Sequence, residues 1–432
     1  MLAEPEKDAP LRIVFVTLEF VDVFSGNGTA SQMFVQALLR LGNHVCVICG
    51  YPVKAVAASC ARQLLATDLT CGEQEWTSQL RGVCIPVEAE KWNTRGRNSP
   101  YLTFGDGAFC DLVKQTIEEF AAASKVDALV GVDWEGRRAV ESLQSQSGPL
   151  RSVPYVYYNY RVFFSNTSNS DDDTAFYLVE EAEAVRSSSC YICLSKDDRT
   201  RLSEAFGRTP HLILPGLREK IRARGADAVE MCEGTTGKRR RYLLCCVRVV
   251  REKNVQAFVD AINILGAEWL EQWQLVPYMV GRGADGSDGG FCEGVRNALR
   301  STCDSAVIQD FVDAQVLADV MSESVLNIHP ALNEAYGMTI VEAAAMGCPS
   351  LVHHSDIGAL DLLLAGIEVL ACDMSDPSEI AARIAELCAD GPGSAQLRPV
   401  AEAGQRKALS YDELANARAL CKILRDPQPP QG

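Results

Sequence analysis

No run of apolar residues in this 432-residue sequence reaches the roughly 18–20 needed to cross a bilayer. The opening residues, MLAEPEKDAP, are polar and acidic and lack the hydrophobic segment of a secretory signal. Positive charge is short as well: 41 Lys and Arg against 57 Asp and Glu leave a formal net charge of −16. Such a surface repels nucleic acid and anionic membrane. These absences set aside a membrane-spanning protein and a nucleic-acid binder. They limit membrane contact to a peripheral one and make a cytoplasmic location the expectation. No internal repeat is visible beyond a duplication of architecture.

Cysteine is plentiful, with 17 residues. Two C-x-x-C patterns occur, Cys46/Cys49 and Cys190/Cys193, both in strand-like runs. Residues i and i+3 of a strand point to opposite faces, so neither pair can hold one ion. Free, reduced, mostly buried thiols are expected. The sequons at Asn27 and Asn166 then carry no meaning, because glycosylation belongs to secreted chains. The basic run Lys238–Arg241 reads as a solvated linker.

With 47% hydrophobic and 23% charged residues, the chain has the composition of a soluble globular protein long enough for two domains. RIVFVTL (12–18) is a buried-strand run, residues from Thr29 carry helical apolar spacing, and HVCVIC follows as a strand. This βαβ order builds parallel sheets. KVDALVGVDW, VPYVYYNY and CYICLS read as further strands, with a helix over 176–186 between the last two. A second βα series opens at YLLCCV (242–247) and a helix over 254–266 ending on Gly266. It continues through WQLVPYMVGRG, SVLNIHP and PSLVHH. The expected class is α/β, two Rossmann-like domains facing across a cleft. The expected division is a disordered 1–10, a first domain over 11–225, a linker over 226–240 and a second domain over 241–410. A helix over 411–425 and a frayed tail over 426–432 complete it.

The stretch NEAYGMTIVEAAAMGCP (333–349) is the most informative. MTIVEAAAMG predicts a short helix closed by Gly347 and Pro349. Its N-terminus near Gly337 collects free N–H groups and partial positive charge, a ready phosphate site. Glu334 precedes that helix, and Glu342, just over a turn inside it, suits a vicinal diol such as a ribose. The spacing outlines a sugar nucleotide; an amphipathic surface helix with two solvated acids stands beside it as the plainer account. Arg248 and Lys253, in VRVVREKN after the first strand of the second domain, supply cations for a departing diphosphate. Arg251 reads as solvated. The run Asp171–Asp173 lies in a polar stretch and reads as a solvated loop rather than a metal motif.

These motifs resemble retaining glycosyltransferases of family 4, which have the GT-B fold. Arg248 and Lys253 match the family's R-x-x-x-x-K loop. Glu334, Tyr336, Gly337, Glu342, Ala343, Ala345, Gly347 and Pro349 match its E-x-[FY]-G-x-x-x-x-E-A-x-A-x-G-x-P signature. MVGRG with Gly281 and Gly283, the SGNG loop, ILPG and the final helix fit as well. The likeness spans nearly the whole chain, thinly over about 51–125 and 155–180. It implies that Arg248 and Lys253 bind the donor diphosphate and that Glu334 binds the transferred sugar, these three being the catalytic set. It assigns donor contacts to Gly28, Gly283, Ala335, Tyr336, Gly337, Met338, Thr339 and Glu342, and sugar or acceptor contact to Gly26 and Asp133. The final helix returns to the first domain.

Val132 stands where family members often carry histidine; either Asp133 takes the polar role or the site is altered. Ala331 stands where serine is common. The implied activity is metal-independent hexosyl transfer from a UDP- or GDP-linked sugar to a hydroxyl acceptor, with retention and no cofactor beyond the nucleotide sugar. The runner-up is a catalytically idle GT-B protein that binds a nucleotide sugar or supports a partner transferase. A phosphorylase finds no lysine context for its pyridoxal group.

Overall fold

Aliphatic and β-branched runs become buried parallel strands in two separate sheets. The structure is a computed structural model and describes residues 9–21, 26–53, 60–65, 78–88, 104–105, 107–163, 172–232, 240–283, 290–389, 391 and 395–428. Two units divide the chain, Met1–Gly216 with Glu413–Gly432, and Leu217–Asp412.

The first unit runs β1 (Arg12–Thr17), α1 (Gly26–Arg40), β2 (His44–Val53), β3 (Arg62–Gln63), β4 (Leu80–Glu88), α2 (Asp111–Ala123), β5 (Ala128–Val132) and α3 (Asp133–Gln146). It continues through β6 (Tyr155–Tyr158), α4 (Asp172–Ser187), β7 (Cys190–Cys193), α5 (Lys196–Phe206) and β8 (His211–Leu212). The sheet order is β3-β4-β2-β1-β5-β6-β7-β8. Its neighbours are parallel except β3 on β4. β5 is buried at every position, as a central strand covered on both faces must be. Both C-x-x-C pairs are buried on strands, and none of the described cysteines forms a disulfide.

The second unit runs α6 (Glu219–Cys232), β9 (Tyr242–Cys246), α7 (Val255–Trp273), β10 (Val276–Val280), α8 (Phe291–Thr302), β11 (Val307–Gln309), α9 (Ala314–Ser322) and β12 (Ser324–His329). Then come α10 (Met338–Ala345), β13 (Ser350–His353), β14 (Leu370–Cys372), α11 (Pro377–Leu387) and α12 (Leu397–Leu409). Its sheet is β11-β10-β9-β12-β13-β14, parallel throughout. α13 (Glu413–Arg425) belongs to the first unit. There Asn416 donates to the Leu214 carbonyl at 2.7 Å, and Arg40 meets Glu413 at 3.3 Å.

Two sequence expectations change. The unit boundary falls at Gly216/Leu217 rather than at 225, and residues 219–232, expected as the end of the first domain and the start of the linker, form α6 of the second unit. The apolar period of α6 is thin over 219–227, where Ile221 is the large apolar side chain. Ile221 is fully buried, and Gly225 lies against the Ala345 carbonyl. Arg240 is no solvated linker residue either. Its guanidinium donates to the Met346 and Gly347 carbonyls just past α10, where a cation is favoured. Lys238 and Arg239 lie outside the described residues. Gly266, by contrast, does interrupt its helix as expected: at φ 78, ψ 161 it is non-helical, and a second helical segment follows at once to Trp273, with Leu270 buried and Trp269 and Trp273 packed on the core.

Candidate active site

The strongest polar cluster of the second unit sits at the C-terminal ends of its strands. β9 leads into Val247–Val250, where Val249 bridges to Gly283 and donates to the Arg282 carbonyl at 3.0 Å. Gly281 is required here, since a Cβ would collide with the Val247 carbonyl. Arg248 is exposed on this loop; its carbonyl accepts from Val250 N–H at 2.9 Å, and its guanidinium has no partner among the described residues. A short 3-10 turn, Arg251–Lys253, then delivers Lys253. Asn254, at φ 50, ties the turn down through its side-chain amide to the Pro330 and Met374 carbonyls at 3.1 and 2.8 Å. Arg251 stacks over Phe291, 4.6 Å from the ring centre, so it is not simply solvated.

Lys253 Nζ donates to Glu334 Oε2 at 2.5 Å, and His329 Nε2 lies 3.3 Å from the same oxygen. Burial pushes the Glu334 carboxyl up, but Lys253 and His329 outweigh it and hold the group well below the usual carboxylate range. The acid is therefore ionised. Its backbone is clasped from both sides: Glu334 N–H donates to Asp356 O and Gly358 N–H donates to Glu334 O, each at 2.9 Å.

Three residues on, Gly337 caps α10 at φ 84, a conformation glycine adopts without strain. Met338 and Thr339 form the first turn, with free N–H groups facing out of the helix start. Ala335 lies against Gly358, and Tyr336 turns into the core at 3% exposure. Only the backbone of Tyr336 is left for a ligand; its hydroxyl has no partner among the described residues. Ala331 is fully buried.

Glu342 has a partner that its spacing alone does not reveal. It is 2% exposed, and Arg218 grips it with Nε to Oε1 at 2.5 Å and Nη2 to Oε2 at 2.8 Å. Neither a solvated acid nor an open one results. Arg218 and His329 are the two partners that sequence reasoning passed over. His329 closes the strand SVLNIHP and so was visible as a strand-end polar group. Arg218 lay in PGLREK, where no periodicity marked it.

In the first unit, Asp133 follows Val132 at the end of β5 and takes φ 52, a strained value for a residue with a side chain. It is buried and accepts from Asn27 Nδ2 at 2.6 Å, Tyr160 N at 2.7 Å and Arg161 N at 3.2 Å. Burial raises its pKa to about 6 against those bonds. Nearby Glu135 is also raised well above the usual carboxylate range, by burial, then by Asp133 and Glu19. Gly26 and Gly28, expected in a loop, lie in the first turn of α1; Gly26 is exposed and Gly28 buried. Asp171 lies outside the described residues, and 172–173 open α4.

A surface cleft of about 850 Å³ is lined by Arg241, Leu270, Gln274, Thr302 and Glu323, at the N-terminal ends of β9, β10 and β12. It holds none of the candidate catalytic, donor or acceptor residues. Among the described residues no helix is long and apolar enough to cross a membrane.

No curated protein matches the sequence. Solved structures align over nearly the whole chain. Sucrose-phosphate synthase from Thermosynechococcus elongatus gives a TM-score of 0.72 at 16% identity, covering 96% of this chain and 99% of that one. Anabaena HepE in complex with UDP and glucose gives 0.66 at 15% identity, with 96% and 99% covered. The catalytic domain of Arabidopsis thaliana starch synthase IV, bound to ADP and acarbose, gives 0.65 at 14%, again with 96% and 99% covered. The fold is therefore GT-B, and residues 240–390 match the family described as Glycosyl transferases group 1.

Proposed function

We propose that this chain transfers a hexosyl group from a nucleotide sugar to a hydroxyl acceptor, with retained anomeric configuration and without a metal in the chemical step. The observation that carries this is the Lys253–Glu334–His329 cluster beside the start of α10, inside the segment that matches the glycosyl transferases group 1 family.

An ammonium has three N–H groups. Glu334 takes one from Lys253 and leaves two for the oxygens of a departing diphosphate. Arg248 adds a second cation, and the amide N–H groups of Met338 and Thr339 donate to the phosphate at the helix start. The ionised Glu334 supports positive charge developing on an oxocarbenium-like sugar. The leaving phosphate takes the acceptor proton on the same face, so no protein nucleophile is needed. Ala335 to Gly337 and Gly283 line the donor, and Glu342 holds the ribose. In the first unit Gly28 contacts the donor, while Gly26 and Asp133 contact sugar or acceptor. UDP-, GDP- and ADP-linked hexoses are the donors to try, since solved GT-B structures carry UDP or ADP. The reading places the enzyme in the cytoplasm.

The test is a thermal-shift screen of nucleoside diphosphates and their sugars, followed by donor consumption over an acceptor panel in the presence of EDTA. Saturable stabilisation with turnover supports the proposal; no response to any nucleotide sugar removes it. Val132, 2% exposed at the end of β5, favours a second reading, a nucleotide-sugar binder without turnover. Donor binding without consumption across the panel would select it.

A further inference from the structure

Beyond the donor cluster, three side chains at the ends of β13 and β14 converge without a role. His353, His354 and Asp373 each place one ligand atom within 4.8 Å of the others. The two strands run in parallel register, with His353 opposite Cys372, so Asp373 follows directly beside the histidine pair. His353 Nδ1 lies 3.7 Å from Asp373 Oδ1 and accepts from Met374 N–H at 3.2 Å. The imidazole is thus neutral, with its proton on Nε2. Ser375 orients Asp373 Oδ1 through its N–H at 2.8 Å and its hydroxyl at 2.7 Å. Such fixing by outer partners accompanies metal-bound carboxylates. Asp356 and Glu379 add negative charge around His353.

Two imidazoles and one carboxylate form the donor set of borderline divalent cations, with solvent left to fill a fourth position. We propose that His353, His354 and Asp373 bind one divalent cation of the zinc class. Bond lengths near 2 Å draw the donors to about 3.4 Å from one another. The exposed His354 ring makes most of that movement, and the ion takes the Nδ1 lone pair now facing Met374 N–H. The ion does not touch the reacting groups. It ties the ends of β13 and β14 together at the head of Ser355–Gly358, the turn whose backbone clasps Glu334.

Metal-free full-length protein titrated with Co²⁺, followed by visible absorption and then by Zn²⁺ competition, tests this. Expected are one Co²⁺ per chain, bands of nitrogen and oxygen ligands without thiolate charge transfer, and displacement by Zn²⁺. H354A and, separately, D373N should each weaken binding by about 100-fold, with melting of the metal-free variants unchanged. Absence of a saturable site overturns the proposal. So does a thiolate spectrum, or Co²⁺ affinity unaltered in both variants.

Discussion

Arg218 and Glu342 form a two-pronged pair, Nε to Oε1 at 2.5 Å and Nη2 to Oε2 at 2.8 Å, with the Glu342 side chain 3% exposed. A carboxylate buried so deeply needs such a partner, and the fork fixes its plane as well as its charge. Each oxygen keeps a lone pair for a diol. In the proposed function, Arg218 acts on the ribose through Glu342. R218Q should weaken UDP about 10-fold by calorimetry, with little loss for the 2′,3′-dideoxy analogue, which lacks the diol. Equal losses for both nucleotides would reduce the pair to a structural clamp.

Lys253 sits 2.5 Å from Glu334. K253A should lower turnover by about 100-fold or more, the scale of losing one donor aimed at developing charge. It should also alter acid stability. The folded pKa of Glu334 is depressed, so the stabilisation is present above the ordinary carboxyl range and drains away as pH falls below it. K253A should show a shallower loss over that descent. Wild-type turnover by K253A contradicts the leaving-group role.

Asp133 behaves in the opposite sense. Its pKa is raised from 3.8 to about 6. Between those values the folded chain holds a proton that the unfolded chain has lost, so stability declines as pH rises across the window and stays reduced above it. D133N keeps an oxygen for Tyr160 and Arg161 and removes the charge. Urea unfolding at about pH 5.5 and about pH 7.5 should show less decline for D133N than for wild type. An identical decline would mean that Glu135 alone sets it.

Gly337 joins the two halves of the site. At φ 84, an added methyl group would meet Ile340 Cδ1 at 2.6 Å and Glu334 Cγ at 3.3 Å. G337A should cost about 1–2 kcal/mol from the left-handed backbone, with more from the clash, and should weaken donor binding by shifting Glu334. A urea midpoint equal to wild type counts against this.

Much of the second unit was legible because strand ends and caps leave local marks. The helix start at Gly337, the turn at Gly347 and the lysine of VRVVREK each follow from short-range chemistry, and the structure places Lys253 against Glu334. Pairings across long separations left no such mark. Arg218 reaches Glu342 from 124 positions away, and nothing in PGLREK distinguishes it from a solvated arginine. α6 was missed for a related reason. Among its described side chains Ile221 is buried and Gly225 makes a close backbone contact, so apolar periodicity, the main helical signal, is weak there. Asp133 was visible as a strand-end acid, but its conformation and its three donors depend on Asn27 and on Tyr160–Arg161, which only the sheet order brings near.

α13 has a consequence for biosynthesis. It packs on the first unit, where Asn43 Nδ2 reaches Cys421 Sγ at 3.4 Å and Leu420 is fully buried. The amino-terminal unit therefore lacks one of its walls until the residues of α13 have left the ribosome. During translation the face of α1 that receives α13 stays open to water and to chaperones, and a nonsense codon shortly before Glu413 would leave it so permanently.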